Sequence, residues 1–248
     1  MLGHSSILAA SLGQALPLVG TNNELGERNR KFKIVVVGGH PDDPESACGG
    51  TVALYSDEGH EVVILYLTRG EAGIKGKSMQ EAATIRTAEC QKACAILGAR
   101  PEYAGQIDGD TEVNQSRYGD FRKLLEAQHP DIVFTHWPVD SHRDHRAASM
   151  LVYDTWIQSG KKFDLYYFEV DQGAQTQVFH PTHYVDISRT LSRKQAACFA
   201  HASQQPELGF WPQHQRMNRF RGMECGVENA EGFVRHYQDL ETVIPKKG

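Results

Sequence analysis

The stretch that decides the fold is Lys33-Ile-Val-Val-Val-Gly-Gly-His-Pro-Asp-Asp43. Four consecutive β-branched residues bounded by glycine are typical of a strand buried on both faces, as in a parallel sheet. His40, Asp42 and Asp43 follow directly, where the carboxyl ends of strands in open α/β sheets bind ligands. Adjacent ionised carboxylates repel each other, so a nearby cation is the simplest way to hold them together. The stretch therefore predicts a divalent metal site at the end of a buried strand.

Strands and helices are predicted to alternate through most of the remaining chain. Further strands are predicted at 61–67, 102–107 and 131–135, and helices at 46–57, 79–97, 115–128 and 142–157. This alternation indicates an α/β fold of one domain, with a Rossmann-like, mostly parallel sheet and helices on both faces. The predicted domain spans residues 31–248, and the less regular pattern from about residue 206 indicates a C-terminal extension.

Residues 1–30 differ in composition from the predicted domain. Residues 1–20 are apolar, rich in small side chains and without Lys or Arg, and a polar run follows at 21–30. The segment resembles the latter part of a bacterial twin-arginine leader, although an apolar helix or a disordered segment at the domain surface is the alternative. A leader predicts export to the periplasm, and its absence predicts a cytoplasmic protein. We leave this segment out of the fold.

Composition excludes several classes of function. A net charge of -5 and the lack of a long Lys/Arg cluster argue against nucleic acid as a partner. No apolar run is long enough to predict stable membrane insertion. The five cysteines have no CxxC spacing, so they indicate neither a zinc ribbon nor a disulfide framework. Any bound metal must therefore be held by histidine and aspartate.

A second polar cluster, His136-Trp-Pro-Val-Asp-Ser-His-Arg-Asp-His145, follows the predicted strand at 131–135. His142 and His145 are three residues apart, so they share one face if a helix begins here. Catalytic zinc commonly takes two histidines and one carboxylate and leaves a position for water. His40, Asp43 and His145 would supply this set, although such sites also accept Fe²⁺, Co²⁺ or Mn²⁺.

The two remaining polar side chains suit the chemistry of hydrolysis. Zinc lowers the pKa of its bound water to about 7, so a neighbouring carboxylate can accept the proton during attack. Asp42 fits this role of general base. A protonated His142 would stabilise the oxyanion or protonate the leaving amine.

The motifs resemble those of the LmbE/PIG-L family of metal-dependent N-deacetylases. The resemblance rests on HPDD after a strand and two glycines, on Thr68-Arg-Gly-Glu-Ala-Gly73, and on His142-Arg-Asp-His145, and it extends from about Lys33 to Gln204. It implies removal of acetyl from a small amino sugar or glycoconjugate of the N-acetylglucosamine type. It also implies the metal ligands and the two catalytic roles already assigned.

Further matches imply contacts with substrate. Arg86 lies in Ile85-Arg-Thr-Ala-Glu89, which resembles the family's Arg-x-x-Glu, and Glu71 is expected to shape the substrate loop. Trp137 and Asp140 lie in the loop before the histidine pair, where family members contact the sugar or aglycone. The chain departs from the family pattern at Pro44, which is expected to alter the start of the following helix.

Four functions are compatible with these observations to different degrees. The leading one is a zinc-dependent N-deacetylase of an N-acetylglucosamine-type substrate, and the alternative is a zinc amidase that acts on a non-sugar or thiol-conjugate amide. A nucleotide-binding Rossmann module is disfavoured because the turn lacks G-x-G-x-x-G and places two carboxylates where pyrophosphate would bind. A non-catalytic sugar-binding protein is disfavoured because all five proposed active-site residues are present. The acyl group, the aglycone and a possible homo-oligomer are left open.

Overall fold

Strand β1 (Lys33–Gly38) lies inside a seven-stranded sheet. The structure is a computed structural model that describes residues 30–237. The predictions for the leader-like segment therefore lie outside the described residues, as does the end of the predicted extension from residue 238. Within the described part of the chain the strand order is β3-β2-β1-β4-β5-β7-β6.

The bounds of the other elements follow the predicted alternation. The strands are β2 (Glu61–Tyr66), β3 (Arg100–Tyr103), β4 (Ile132–His136), β5 (Asp164–Phe168), β6 (His183–Asp186) and β7 (Ala230–Arg235). The helices are α1 (Asp43–Asp57), α2 (Met79–Leu97), α3 (Gln115–Glu126), α4 (Arg143–Gln158), α5 (Leu191–Phe199) and α6 (Trp211–Cys225). Strands β1 to β5 pair in parallel, so the predicted fold class is confirmed.

Helices cover both faces of the sheet. Successive residues of a strand point to opposite faces, so alternate residues of β1 pack against different helices. Ile34 and Val36 belong to a buried cluster with residues of α1, α2 and α5. Val35 and Val37 belong to a second cluster with residues of α3 and α4. All four side chains are essentially inaccessible to solvent, which explains the unbroken apolar run in β1.

The strand order places the two polar motifs side by side. From β1 the chain passes to β2 and β3 on one side, whereas β4 and β5 lie on the other side of β1. The pairing of Val37 with Thr135 brings the carboxyl ends of β1 and β4 together. In open α/β sheets this reversal of strand order opens the crevice in which ligands bind. HPDD and the histidine pair both follow strands that end at this crevice.

Helix α1 begins at Asp43, earlier than the predicted start at Ser46. Pro44 lies in the first turn, where the missing N–H is not needed by the helix and the fixed φ suits it. The departure at Pro44 is therefore compatible with an early helix start. Strand β3 ends at Tyr103, whereas the sequence predicted a strand over 102–107.

Regular structure continues after residue 206, where the sequence pattern predicted a less regular C-terminal extension. Helix α6 and strand β7 both lie in this part of the chain, and β7 pairs antiparallel with β5 and with β6. The strand completes the sheet rather than extending the domain, and its partners are distant in sequence, so no local pattern announced it. Among residues 30–237, no helix is both long and apolar enough to cross a membrane.

We predict that Gly50→Ala destabilises the fold. A Cβ at this position of α1 would lie 2.5 Å from Cγ2 of the buried Ile187. Overpacking of this kind costs about 1–3 kcal/mol in the free energy of unfolding, measurable by chemical denaturation. The control is Gly119→Ala in α3, where a Cβ meets open space and should stabilise the helix by up to about 1 kcal/mol. Equal stability of both variants would contradict the packing of α1 described above.

Candidate active site

A buried carboxylate, Asp43, lies at the centre of the site. Its Oδ2 accepts a hydrogen bond from the backbone N–H of His40 at 2.8 Å. The same oxygen lies 3.1 Å from Nδ1 of His40 and 3.2 Å from Nε2 of His145. Burial alone would raise the pKa of Asp43, but His145, His136 and His40 outweigh it and hold the pKa well below its usual value. The carboxylate is therefore ionised and requires positive charge around it.

The two glycines after β1 allow this close approach. A Cβ on Gly39 would lie 3.0 Å from Cδ2 of His145, and a Cβ on Gly38 would lie 2.5 Å from Cγ of Pro44. Side chains at these positions would separate the HPDD turn from the segment after β4. The glycines in the motif therefore serve packing between the two halves of the site.

His40 is held between carboxylates on both sides of its ring. Nδ1 faces Asp43, whereas Nε2 lies 3.0 Å from Oδ2 of Asp144 and 3.2 Å from Oδ1 of Asp108. Burial opposes a charge on the ring, but Asp108, Asp144 and Asp43 outweigh it and raise the pKa of His40. A metal-binding histidine ordinarily directs its second nitrogen to such a carboxylate, which fixes the ring orientation.

His145 has the same arrangement. Nε2 faces Asp43, and Nδ1 lies 3.2 Å from Oδ2 of Asp140. Burial opposes the charged ring, but Asp43 and Asp140 outweigh it and raise the pKa of His145 to about 9. Asp140 is itself fixed, because it accepts hydrogen bonds from Oγ1 of Thr176 and from the backbone N–H of His142.

The donor atoms around Asp43 fit a divalent metal ion. Zinc bonds of about 2.0–2.1 Å in tetrahedral geometry place ligand atoms about 3.3 Å apart, close to the spacings of Asp43 Oδ2 from the two imidazoles. Ring nitrogens of His40, His142 and His145 also lie within 4.8 Å of one another. The neighbouring carboxylates favour protonation of His40 and His145, which gives both rings a positive charge. A bound metal ion would replace these protons and supply the positive charge. Asp43, His136 and His145 form a second such group among the described residues, and His40, Asp108 and Asp144 form a third. The set of His40, Asp43 and His145 stays a prediction.

His136, the last residue of β4, lies beside the predicted set, and its Nε2 is 3.4 Å from Oδ2 of Asp43. Its Nε2 accepts a hydrogen bond from the backbone N–H of Gly39 at 2.9 Å, so this lone pair is already used. Burial, followed by the neighbouring His145, lowers the pKa of His136 to about 4, and the ring is neutral. It stacks on His145 with ring centroids 3.9 Å apart. The sequence analysis did not assign it a role, although a polar residue ending a buried strand was an available signal.

Asp42 has different partners from its neighbour Asp43. Its Oδ2 lies 2.6 Å from Nη2 of Arg86, which also donates to the backbone oxygen of Pro41. Burial raises the pKa of Asp42 above its ordinary value, and Arg86 opposes part of this shift. The backbone of Asp42 has a φ of 107°, a region that costs a non-glycine residue about 1–3 kcal/mol. Strain of this kind occurs mainly where function requires a particular geometry.

His142 precedes α4 and faces the imidazoles of the metal set. Its Nδ1 accepts a hydrogen bond from the backbone N–H of Asp144 at 3.3 Å, which leaves Nε2 to carry the hydrogen. The ring centroid lies 4.6 Å from that of His40 and 4.7 Å from that of His145. Burial, followed by His40 and His145, lowers the pKa of His142. A charged His142, as the sequence analysis predicted, therefore requires negative charge to develop beside it.

The site opens into a cavity of about 350 Å³. Its lining combines predicted site residues with polar and small residues from other loops: His40, Asp42, Asp43, Ala72, Gly73, Arg86, Asp108, His142, His145, Gln175 and Gln204. Five side chains with predicted catalytic or metal-binding roles thus meet in one place, together with Arg86. The sequence analysis did not single out Asp108, Gln175 or Gln204, because no motif connects them with the two polar clusters.

Three residues predicted to contact substrate do not line this cavity. Asp140 lies behind His145, where its carboxylate positions that ring. Glu71 accepts hydrogen bonds from the backbone N–H groups of Arg69 and Asp108, so it shapes the loop that carries Asp108. The structure thus indicates structural contacts for Asp140 and Glu71, and their contact with substrate stays a prediction.

Trp137 is the third of these residues. Its Nε1–H donates to the backbone oxygen of Gln177, and its ring makes edge contacts with Tyr167 and Phe179. The indole is therefore engaged with the loop after β5. The predicted contact of Trp137 with a sugar stays a prediction.

Comparisons with known proteins match this geometry. Residues 35–156 match the family described as PIG-L: GlcNAc-PI de-N-acetylase. The chain is 31% identical to a diacetylchitobiose deacetylase from Thermococcus kodakarensis, over 81% of this chain and 82% of that relative. The chain belongs to the PIG-L family. The resemblance inferred from the HPDD and histidine-pair motifs is therefore confirmed.

The relatives of this PIG-L chain do not all carry the name of a deacetylase. A 4-oxalmesaconate hydratase from Pseudomonas putida is 26% identical, over 86% of this chain and 89% of the relative. Among solved structures, N,N'-diacetylchitobiose deacetylase from Pyrococcus horikoshii has a TM-score of 0.75 and 23% identity, and the match covers 90% of this chain and 98% of that one. This last likeness shows a shared fold.

We predict that His145→Ala abolishes stable metal binding in this PIG-L family member. The change removes one imidazole from the proposed set and leaves Asp43 without the histidine that does most to lower its pKa. Metal content after purification and dialysis, measured by inductively coupled plasma mass spectrometry, should fall from near-complete occupancy to background. His183→Ala is the control, because this histidine lies on β6 and contacts Thr182 and Tyr237. Full occupancy in His145→Ala would refute the ligand set.

Proposed function

We propose that this chain is a zinc-dependent N-deacetylase that removes the acetyl group from an N-acetylglucosamine-type sugar or glycoconjugate. One observation carries the proposal: adjacent carboxylates meet the same cavity with different partners. Asp43 lies among imidazoles in a site suited to a metal, whereas Asp42 lies outside this set beside Arg86. Metal-assisted hydrolysis uses one carboxylate that binds the metal and a neighbouring carboxylate that accepts a proton.

The side chains around the cavity have separate tasks in this reaction. A bound zinc ion would lower the pKa of water and polarise the amide carbonyl. Asp42 accepts the proton of the attacking water, and burial assists by raising the pKa of Asp42 towards the working pH. Arg86 holds the carboxylate of Asp42 in place at 2.6 Å. His142 directs Nε2–H towards the developing oxyanion, and the proton that Asp42 takes from the water is returned to the leaving amine.

The charges around the cavity favour a neutral substrate. Asp42, Asp43 and Asp108 are acidic, and among the cavity-lining residues that the structure describes Arg86 is the one Lys or Arg side chain. Arg86 is already paired with Asp42. A substrate with several carboxylates would find no Lys or Arg other than Arg86 among these described residues. Hydroxyl and amide groups, in contrast, match the amides of Gln175 and Gln204.

The first test is acetate release from a panel of amides by metal-stripped protein, with and without added metal. The panel contains N-acetylglucosamine, N,N'-diacetylchitobiose, an N-acetylglucosaminyl glycoside with an acidic aglycone, and a thiol-conjugate amide. We expect release from the N-acetylglucosamine derivatives only after zinc is restored, and parallel additions of Fe²⁺, Co²⁺ and Mn²⁺ rank the metals. Release from the thiol conjugate alone would favour the amidase alternative. Hydration of an unsaturated polycarboxylate without acetate release would refute the proposal.

We predict that Asp42→Asn lowers kcat by at least about 10²-fold, because general-base catalysis is worth about 10² to 10⁴. Metal content should remain near that of the wild type, since Asp42 is not in the proposed ligand set. The matched control is Asp120→Asn, which removes an exposed carboxylate from α3. Steady-state kinetics and metal analysis on the same preparations separate the two effects. Unchanged turnover in Asp42→Asn would remove Asp42 from the role of base.

A further inference from the structure

We propose that Glu45 and His201 are positioning residues for Asp42, and this inference rests on the proposed function in which Asp42 is the general base. Glu45 lies in the first turn of α1 and has no exposed surface. Its Oε2 accepts a hydrogen bond from the backbone N–H of Asp42 at 3.1 Å. Glu45 does not line the cavity, and its hydrogen bond to the backbone of Asp42 connects it with the site.

The backbone of Asp42 needs such a partner. Its φ of 107° is rarely adopted by a residue with a side chain, and it persists only where several contacts hold it. The carbonyl oxygen of Asp42 accepts from the N–H of Ser46 at 2.9 Å, and the side chain is paired with Arg86. Glu45 supplies the remaining contact by accepting from the N–H. Loss of this contact would free the peptide that sets the direction of the carboxylate.

Glu45 is itself in contact with side chains from two distant parts of the chain. The hydroxyl of Tyr66, at the end of β2, donates to Oε1 at 2.6 Å. Nε2 of His201, which follows α5, lies 3.1 Å from the same oxygen. His201 is fully buried, and neither of its ring nitrogens has a hydrogen-bond partner among the residues that the structure describes. Its position is therefore explained by the charge of Glu45 rather than by hydrogen bonds of its own.

Electrostatics support the same connection. Burial opposes a charge on His201, but Glu45 and then Asp42 outweigh it and raise the pKa of the imidazole. A charged His201 balances the charge of Glu45. Without such a partner, a buried carboxylate would strongly destabilise the fold. The pair thus links the C-terminal part of the chain to the backbone of the proposed base.

A second buried carboxylate in contact with the same helix provides a matched control. Glu231 of β7 accepts hydrogen bonds from the backbone N–H groups of Gly50 and Thr51 at 2.9 and 2.8 Å. It is paired with the buried Lys194 at 2.7 Å. Glu231 therefore resembles Glu45 in burial, in its contact with α1 and in its cationic partner. Glu231 differs from Glu45 in that it does not contact Asp42.

The experiment compares Glu45→Gln, His201→Gln and Glu231→Gln in the full-length, metal-loaded protein, each alone and combined with Asp42→Asn. Glutamine keeps the length of Glu45 but has one acceptor oxygen, so it cannot accept from Asp42 and also from Tyr66. We expect kcat to fall by about 10-fold or more in Glu45→Gln, because a misplacement of about 1 Å can cost 10²-fold. KM and metal content should change little. Glu231→Gln should lower Tm and leave kcat near the wild-type value.

The double variants decide whether the effect runs through Asp42. If it does, Glu45→Gln causes no further loss of kcat once Asp42 is Asn, since residues that act as a unit are not additive. A kcat for Glu45→Gln equal to that of the wild type, or a full additional loss in the double variant, would overturn the inference. Should Glu45→Gln fail to fold, His201→Gln and its double variant answer the same question. Absence of wild-type turnover on any amide would instead overturn the proposed function, and the inference with it.

Discussion

Two adjacent carboxylates, the half-buried Asp42 and the buried Asp43, lie at the carboxyl end of β1, and the rest of the site depends on how their charge is compensated. Burial of an unpaired charge is strongly unfavourable, so each carboxylate needs its own partners. Asp43 is surrounded by imidazoles that suit a metal. Asp42 is paired with the guanidinium of Arg86. Because the two compensations differ, one carboxylate can bind metal while its neighbour remains available to accept a proton.

The sheet brings these partners together from separate parts of the chain. Strands β1 and β4 are neighbours at the reversal of strand order, so the HPDD turn meets the histidine pair at one crevice. Helix α2 carries Arg86 to the same crevice, and the segment after α5 carries His201 to Glu45 behind it. The core residues of β1 are buried on both faces, which provides a rigid base for the turn. Precise placement of catalytic groups requires such support.

Membership of the PIG-L family does not by itself identify the reaction, so the residues of the site must indicate it. One relative carries the name of a diacetylchitobiose deacetylase and another that of a hydratase, at 31% and 26% identity. The charge of the cavity wall bears on this choice, because Arg86 is the one guanidinium among the described lining residues and is already paired with Asp42. A neutral, hydroxyl-rich amide is the substrate that such a wall accommodates. The hydrolytic proposal therefore rests on the cavity as well as on the motifs.

The sequence by itself determined the features that depend on neighbours along the chain. The apolar run of β1, the charge pair Asp42 and Asp43, and the helical spacing of His142 and His145 are local patterns, and the structure places them as expected. The family and the mostly parallel sheet followed from the same patterns. The early start of α1 also involves a local feature, because proline is well suited to the first turn of a helix.

Only the tertiary structure decided which distant side chains meet. Strand β7 completes the sheet between β5 and β6, Asp108 and Asp144 orient His40, and Glu45 contacts His201. These contacts join residues far apart in sequence, and no periodicity or spacing encodes them. Trp137 donates a hydrogen bond to the loop after β5, another contact that its position beside the motif did not indicate, and its contact with a sugar stays a prediction. Side-chain direction and long-range pairing follow from the packed core, which local propensity does not specify.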